Sequence, residues 1–184
     1  MRNEEKNTRI FEATTKVINE QGINQFTLDK VAERAGVSKG GLLYRFPSKE
    51  RLLKGWSHYV LEVFTTLVEE EVEKSNSFAT AYLQATLRSL ESAEMKTFMT
   101  VSGYQAEEQF YEGWKEFYAQ TIVKLQEETS PEVASIIQLT CDGLWLQDAF
   151  QLNHRTEHKP INWFLIYRDL QQVISIVEMS GDKQ

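Results

Sequence analysis

Between Thr27 and Ser48 the sequence TLDKVAERAGVSKGGLLYRFPS carries three helix starts and two helix stops within a short span. Thr27 is a good N-cap, and Asp29 suits the positive end of the helix that follows. Phe26 and Val31 have the spacing of a hydrophobic staple, with Val31 and Ala32 pointing inward. Gly36 ends that helix. Ser38 begins another two residues later, and Val37 and Leu42 repeat the staple. Pro47 cannot continue it, and Ser48 can cap the next. Two short helices joined by a tight glycine turn form a helix-turn-helix, whose second helix can enter a DNA major groove.

That second helix contains Gly40 and Gly41, and glycine inside a helix costs about 1 kcal/mol relative to alanine. Two readings account for the pair. The glycines relieve crowding between packed helices, or they let backbone approach DNA closely. Lys39 beside them can reach a base edge or a phosphate, and Tyr44 and Lys49 can bind the sugar-phosphate backbone. Charge favours the second reading. Residues 1–54 hold eleven Lys/Arg against seven Asp/Glu, a net +4 within a chain of net charge −7. The remainder is nine against twenty, a net −11. A basic head on an acidic body suits a polyanion partner.

The rest also reads as helices. Ile10, Ala13, Val17 and Ile18 recur at helical spacing from Glu5 to Gln21, and Gly22 is expected to be a left-handed C-cap. Further helices are expected at Lys49–Lys74, Phe78–Glu91, Ala93–Ser102 and Gln105–Glu128, then from Pro131 and from Pro160. The Glu69–Glu71 run reads as a solvated helix end. The expectation is an all-α fold of about nine helices: a head at 1–47 and a larger body at 48–184.

The stretch from Thr27 to Leu53, with the Ile10 and Ala13 start, closely resembles the DNA-binding signature of the TetR family of bacterial transcriptional regulators. Thr27, the Val31-Ala32 pair, Ala35-Gly36-Val37-Ser38, Gly41, Phe46 and Lys49-Glu50 fall at the family's spacing without gaps. The resemblance implies an all-α dimer with a three-helix DNA-binding head and a body that binds a small molecule and a second subunit. It implies phosphate contacts from Thr27, Tyr44 and Lys49, and places Ser38, Lys39, Gly41 and Arg45 near bases or backbone. Two positions depart from it. Leu43 stands where many relatives carry a tyrosine, and can touch a thymine methyl instead. Arg45 stands where many carry histidine. With Gly40, these residues make the expected DNA-binding set.

In the body, Tyr82, Phe98, Met99, Tyr104, Phe110, Trp114, Phe117, Tyr118 and Trp145 are either core or the wall of a pocket for an aromatic or cationic guest. The helix from Pro131 is apolar on two faces. With the one from Pro160 it reads as a dimer interface using Ile137, Cys141, Leu144, Trp163, Ile166, Tyr167, Leu170 and Ile174, unless both are buried within one chain. Cys141 is alone, so no intrachain disulfide forms, and it reads as a small buried hydrophobe. His154 and His158 have metal-pair spacing but no third ligand. No nucleophile–base pair or phosphate loop is legible, so no enzyme, cofactor or metal is expected. No apolar run spans a membrane, and the charged N-terminus is no secretory signal, so a cytoplasmic location is expected. The expected function is a regulator, a repressor released from a palindromic operator by a small apolar or amphipathic molecule. The competing reading is a DNA-independent ligand-binding or protein-interaction module.

Overall fold

The structure, a computed structural model, describes residues 3–104, 108–152, 168–170 and 172. Among these there are eight α-helices and no strand: α1 (Asn3–Gln21), α2 (Leu28–Ala35), α3 (Lys39–Arg45), α4 (Lys49–Val72), α5 (Phe78–Ser89), α6 (Ala93–Ser102), α7 (Glu112–Glu128) and α8 (Pro131–Ala149). Short 3-10 turns occupy Ile23–Gln25 and Glu108–Phe110. The chain divides into two compact units, residues 1–63 with 93–114, and residues 64–92 with 115–184. The helix expected from Pro160 lies almost wholly outside the described residues, as do His154 and His158.

The first unit is built on capped local structure. The Thr27 hydroxyl accepts from the Lys30 amide at 3.4 Å and the Ser38 hydroxyl from the Gly41 amide at 3.1 Å. Gly36 is left-handed at φ 64° and ψ 36°. Gly22 differs from the expected cap. Its φ is 78° but its ψ is 158°, so it leads directly into the 3-10 turn at Ile23. That conformation is open to glycine alone at low cost. Ile10 and Val17 of α1, Val31 of α2, Leu42 of α3 and Leu52 and Trp56 of α4 are all buried. The indole Nε1 of Trp56 donates to the Thr15 hydroxyl at 2.9 Å, so its one polar atom is satisfied.

Gly55 sets how closely these helices approach. A Cβ there would lie 3.1 Å from both the Phe11 and the Phe46 rings. A ring from α1 and the Phe46 ring at the C-cap of α3 therefore rest on the bare backbone of α4, with their centroids 5.4 Å apart. On the same unit Phe98 stacks on Trp114 at 4.5 Å and on Phe110 at 5.4 Å. This corrects the expected seventh helix. Phe110 belongs to a 3-10 turn, α7 begins at Glu112, and the Ser57 hydroxyl donates to the Phe110 carbonyl at 2.6 Å. Phe110 is buried in the ring cluster from this turn.

In the second unit Phe64 is the centre of an edge-on aromatic cluster, 5.0 Å from Trp145, 5.6 Å from Phe117 and 6.1 Å from Tyr82. Glu128 of α7 caps α5, accepting from the Phe78 amide at 2.8 Å, the Ala79 amide at 3.0 Å and the Ser77 hydroxyl at 3.0 Å. The acidic run is not simply a solvated end. Glu71 is buried and accepts from Lys74 at 2.9 Å and Arg88 at 2.5 Å, while Glu70 pairs with Arg88. The hydrogen bond from Lys74 leads the influences that hold the Glu71 carboxyl below its ordinary range.

Replacing Trp56 by alanine is expected to lower stability by about 3–5 kcal/mol, read as a drop in thermal midpoint by circular dichroism. Burial pushes the Cys141 thiol up to about 12. Cys141 is therefore expected to resist an aromatic disulfide reagent in the native protein at pH 8 and to react completely in guanidinium chloride.

Candidate nucleic-acid interface and effector-binding residues

The orientation of α3 follows from a single buried side chain. Leu42 is fully enclosed, and it anchors a seven-residue helix whose other side faces outward. Lys39, Gly40, Gly41 and Tyr44 are exposed on that outward side, Tyr44 to 91%. A Cβ added at Gly40 would meet nothing within 4 Å, so relief of crowding does not explain this residue. A Cβ on Gly41 would lie 3.0 Å from the Ser38 hydroxyl, so this glycine leaves room for the helix cap. The two glycines thus have different physical reasons.

Electrostatics add detail the sequence did not carry. The Lys39 ammonium lies 2.8 Å from Asp29 of α2, an exposed ion pair at the helix-turn-helix itself. Arg45 donates to the Asn7 side chain at 2.7 Å, tying α3 to the start of α1. Arg9 donates to the Ala35 carbonyl at 2.7 Å, securing the end of α2. Lys49 is half-buried. Its ammonium donates to the Ile23 carbonyl at 3.3 Å and sits 5.2 Å from the centre of the Phe26 ring. It therefore braces the α1–α2 connection. Leu43 is half-buried. Thr27 and Ser38 are exposed while their oxygens serve as caps.

The nine aromatic and methionine positions expected at a pocket are divided between the units. Phe98, Phe110 and Trp114 are close-packed core of the first unit, Met99 is half-buried there, and Tyr104 is 67% exposed. Tyr82, Phe117, Tyr118 and Trp145 belong to the second. That unit also has a cleft of about 700 Å³ whose walls include Thr65, Val68, Phe78, Phe117 and Lys124. The sequence reading missed Asp142. The Tyr118 hydroxyl donates to its Oδ1 at 2.5 Å, and burial is the leading influence that raises its carboxyl above the ordinary range. The available signal was an acid beside Cys141 in the middle of a helix with apolar rows.

On α8 the two apolar rows have distinct partners. Ile137, Cys141 and Leu144 are buried inside the chain itself, so the expected assignment of these three to a partner interface is corrected: they have no surface left to give. The exposed row is Ile136, Leu139, Leu146 and Phe150, with Gly143 opening onto empty space between them. Of the remaining expected interface residues, Leu170 is half-buried, and Trp163, Ile166, Tyr167 and Ile174 lie outside the described residues. No described helix is long and apolar enough to cross a membrane.

Comparison with known proteins agrees with this architecture. Residues 10–55 match the family described as bacterial regulatory proteins, tetR family, and residues 76–160 match the tetracyclin repressor-like C-terminal domain. An uncharacterised HTH-type transcriptional regulator of Haemophilus influenzae is 30% identical over 76 residues. That match covers 41% of each chain, so this chain spans about two fifths of that relative's length. The HTH-type transcriptional regulator BetI of Yersinia pestis is 24% identical over 184 positions, covering 91% of this chain and 92% of that protein. Among solved structures, the multidrug binding protein EbrR complexed with malachite green is similar in fold. Its TM-score is 0.67 at 19% identity, with 91% of this chain and 96% of that one covered. The chain belongs to the TetR family of bacterial transcriptional regulators.

Proposed function

We propose that this chain is a ligand-responsive DNA-binding regulator, a repressor that leaves a palindromic operator when a small apolar or amphipathic molecule binds. The division of labour is a DNA-binding head at 1–47 and a ligand-binding and dimerisation body at 48–184. The observation that carries the reading is the outward face of α3. Gly40 has no packing neighbour, and Lys39 and Tyr44 flank it in solvent. Thr27 and Ser38 stand at the two helix starts beside it, with Leu43, Arg45 and Lys49 supporting the head. Its partners are double-stranded DNA, a small-molecule effector and a second copy of the chain, in the cytoplasm, with no enzymatic step.

The second copy is supported by the exposed row on α8. Ile136, Leu139, Gly143, Leu146 and Phe150 follow one another by three and four residues, the spacing of a helix–helix seam. Gly143 permits close approach at its middle. A two-fold dimer places two α3 helices about 34–36 Å apart, or a multiple, matching half-sites on one face of the duplex. An effector favours release only by binding the two head spacings unequally, with an ordinary coupling of about 1–3 kcal/mol. The small-molecule half is supported by the likeness to EbrR, whose structure is a complex with malachite green. Helix α4 carries Gly55 in one unit and Phe64 in the other, so it is the element shared by both.

The direct test is a gel-shift titration of purified protein with the intergenic DNA beside its own gene. Gly40→Ala is expected to keep or raise thermal stability, by up to about 1 kcal/mol. The same variant should weaken operator affinity at least about tenfold, roughly 1.4 kcal/mol. Unchanged affinity would remove α3 from the interface. Leu139→Glu buries an unpaired charge in the seam and is expected to convert dimer to monomer at micromolar concentration in sedimentation velocity.

A further inference from the structure

We infer that the cleft between the last turns of α4 and the second half of α7 is the seat of an amphipathic organic cation. Its apolar body lies against Val68, Val72, Phe78 and Phe117, and its charge is met by Glu69, Glu73 and Glu127. This rests on the reading of the body as the effector-binding part, and it gives the sign of the charge that effector carries.

The space is present and suits a small molecule. About 700 Å³ lies open within the second unit, inside the range of a drug-sized ligand. Of its apolar lining, Val68 is buried, Phe78 and Phe117 are half-buried and Val72 is 43% exposed. The Phe78 ring is held in place from two directions. Its backbone amide donates to Glu128 at 2.8 Å, and the ring stacks on Tyr82 at 6.2 Å.

Charge selects the guest. The acidic run at the end of α4 divides by partner. Glu70 and Glu71 pair with Arg88, and Glu71 also with Lys74. Glu69 and Glu73 line the cleft instead, and neither side chain has an ion pair or hydrogen bond among the described residues. They stand four residues apart on one helix face, where like charges repel. Glu127 of α7 lines the same cleft, equally unpaired among the described residues. Glu128 is occupied in capping α5, and Lys124 is the one base among the described lining residues. Four acids against one lysine leave the lining at net −3. The Lys124 ammonium makes no ion pair among the described residues and lies 5.1 Å from the centre of the Phe78 ring. That ring therefore already receives a cation, as the negative face of an aromatic does. An anionic guest has one lysine for it and three unpaired carboxylates against it. An uncharged guest gains nothing from those carboxylates, and a hydrophilic cation gains nothing from the valines and rings. A guest that is both apolar and positively charged uses the whole lining.

The test is calorimetric titration of the full chain with tetraphenylphosphonium and tetraphenylborate, ions of one shape and opposite charge, and with spermine, a cation lacking an apolar body. Tetraphenylphosphonium is expected to bind at least about tenfold more tightly than either, and its preference over the borate to shrink as salt is added. Val72→Trp fills the cleft and is expected to weaken it at least about tenfold. Glu69→Gln combined with Glu73→Gln should narrow the preference for the cation several-fold. Lys124→Gln should tighten the cation by vacating the Phe78 ring, whereas a lysine that anchors anions would make the same variant weaken the borate and leave the cation unchanged. If Val72→Trp fails to fold by circular dichroism, the paired glutamine variant, at two exposed positions, carries the test. Equal or tighter binding of tetraphenylborate or spermine overturns the assignment. So does a preference untouched by the glutamines, or an affinity untouched by Val72→Trp. Gel shifts on the same samples judge the regulatory reading separately: cleft-dependent cation binding without operator binding overturns that reading and leaves the cation site standing.

Discussion

The contact on which the first unit depends is the seating of two phenylalanine rings on a helix without a side chain. Phe11 and Phe46 meet α4 at Gly55, where any Cβ would intrude to 3.1 Å. Because one ring comes from α1 and the other from Phe46 at the C-cap of α3, α4 fixes where the exposed helix ends, while Leu42 sets which face it turns outward. A helix that short has little stability alone, and only Leu42 of its side chains is fully buried. Its position is borrowed from the long helix beneath, so displacement of α4 is displacement of the exposed face.

The second unit is ordered by polar anchoring between elements distant in sequence. Glu128 caps α5 from 49 to 51 residues away, and Arg88 reaches the buried Glu71 across 17 positions. Charged hydrogen bonds of this kind are stronger than neutral ones, and breaking one strands the other partner. Around Phe64 the same unit leaves the Tyr82 hydroxyl unsatisfied and Asp142 without a countercharge among the described residues. Rigid polar fastening at the ends of helices and incomplete polar pairing between them coexist in one unit.

What was legible in the sequence was local. The caps at Thr27 and Ser38 depend on a side chain and an amide three residues on, so their residue types suffice, and each forms the cap read for it. The start of α7 was not legible. Phe110, Trp114 and Phe117 have helical spacing, but the Phe110 carbonyl is claimed by Ser57, 53 residues away. Glu71 read as solvated because Arg88 is invisible to a local window. On α8 the sequence shows two apolar rows without saying which faces the chain's own core, and the row containing Ile137 and Cys141 does. The reach of Lys49 to Ile23 and Phe26 depends on the fold and has no local sign in the sequence. Placement of α3 and the exposure of Lys39, Gly40 and Tyr44 followed from capping and the Leu42 register, and are as read.

The pairing of Lys39 with Asp29 bears on how association with a polyelectrolyte responds to added electrolyte. A cation approaching a phosphate normally liberates a territorially bound small ion, and the entropy of that release sets the sensitivity. Lys39 is already paired with a tethered carboxylate. In the proposed complex, its transfer from Asp29 to a phosphate would leave an aspartate to be rescreened by the solution, which recaptures what the duplex gave up. Tallying the positive side chains of the head therefore overstates the thermodynamic yield of ions, and the shortfall is built into the turn between its two shortest helices.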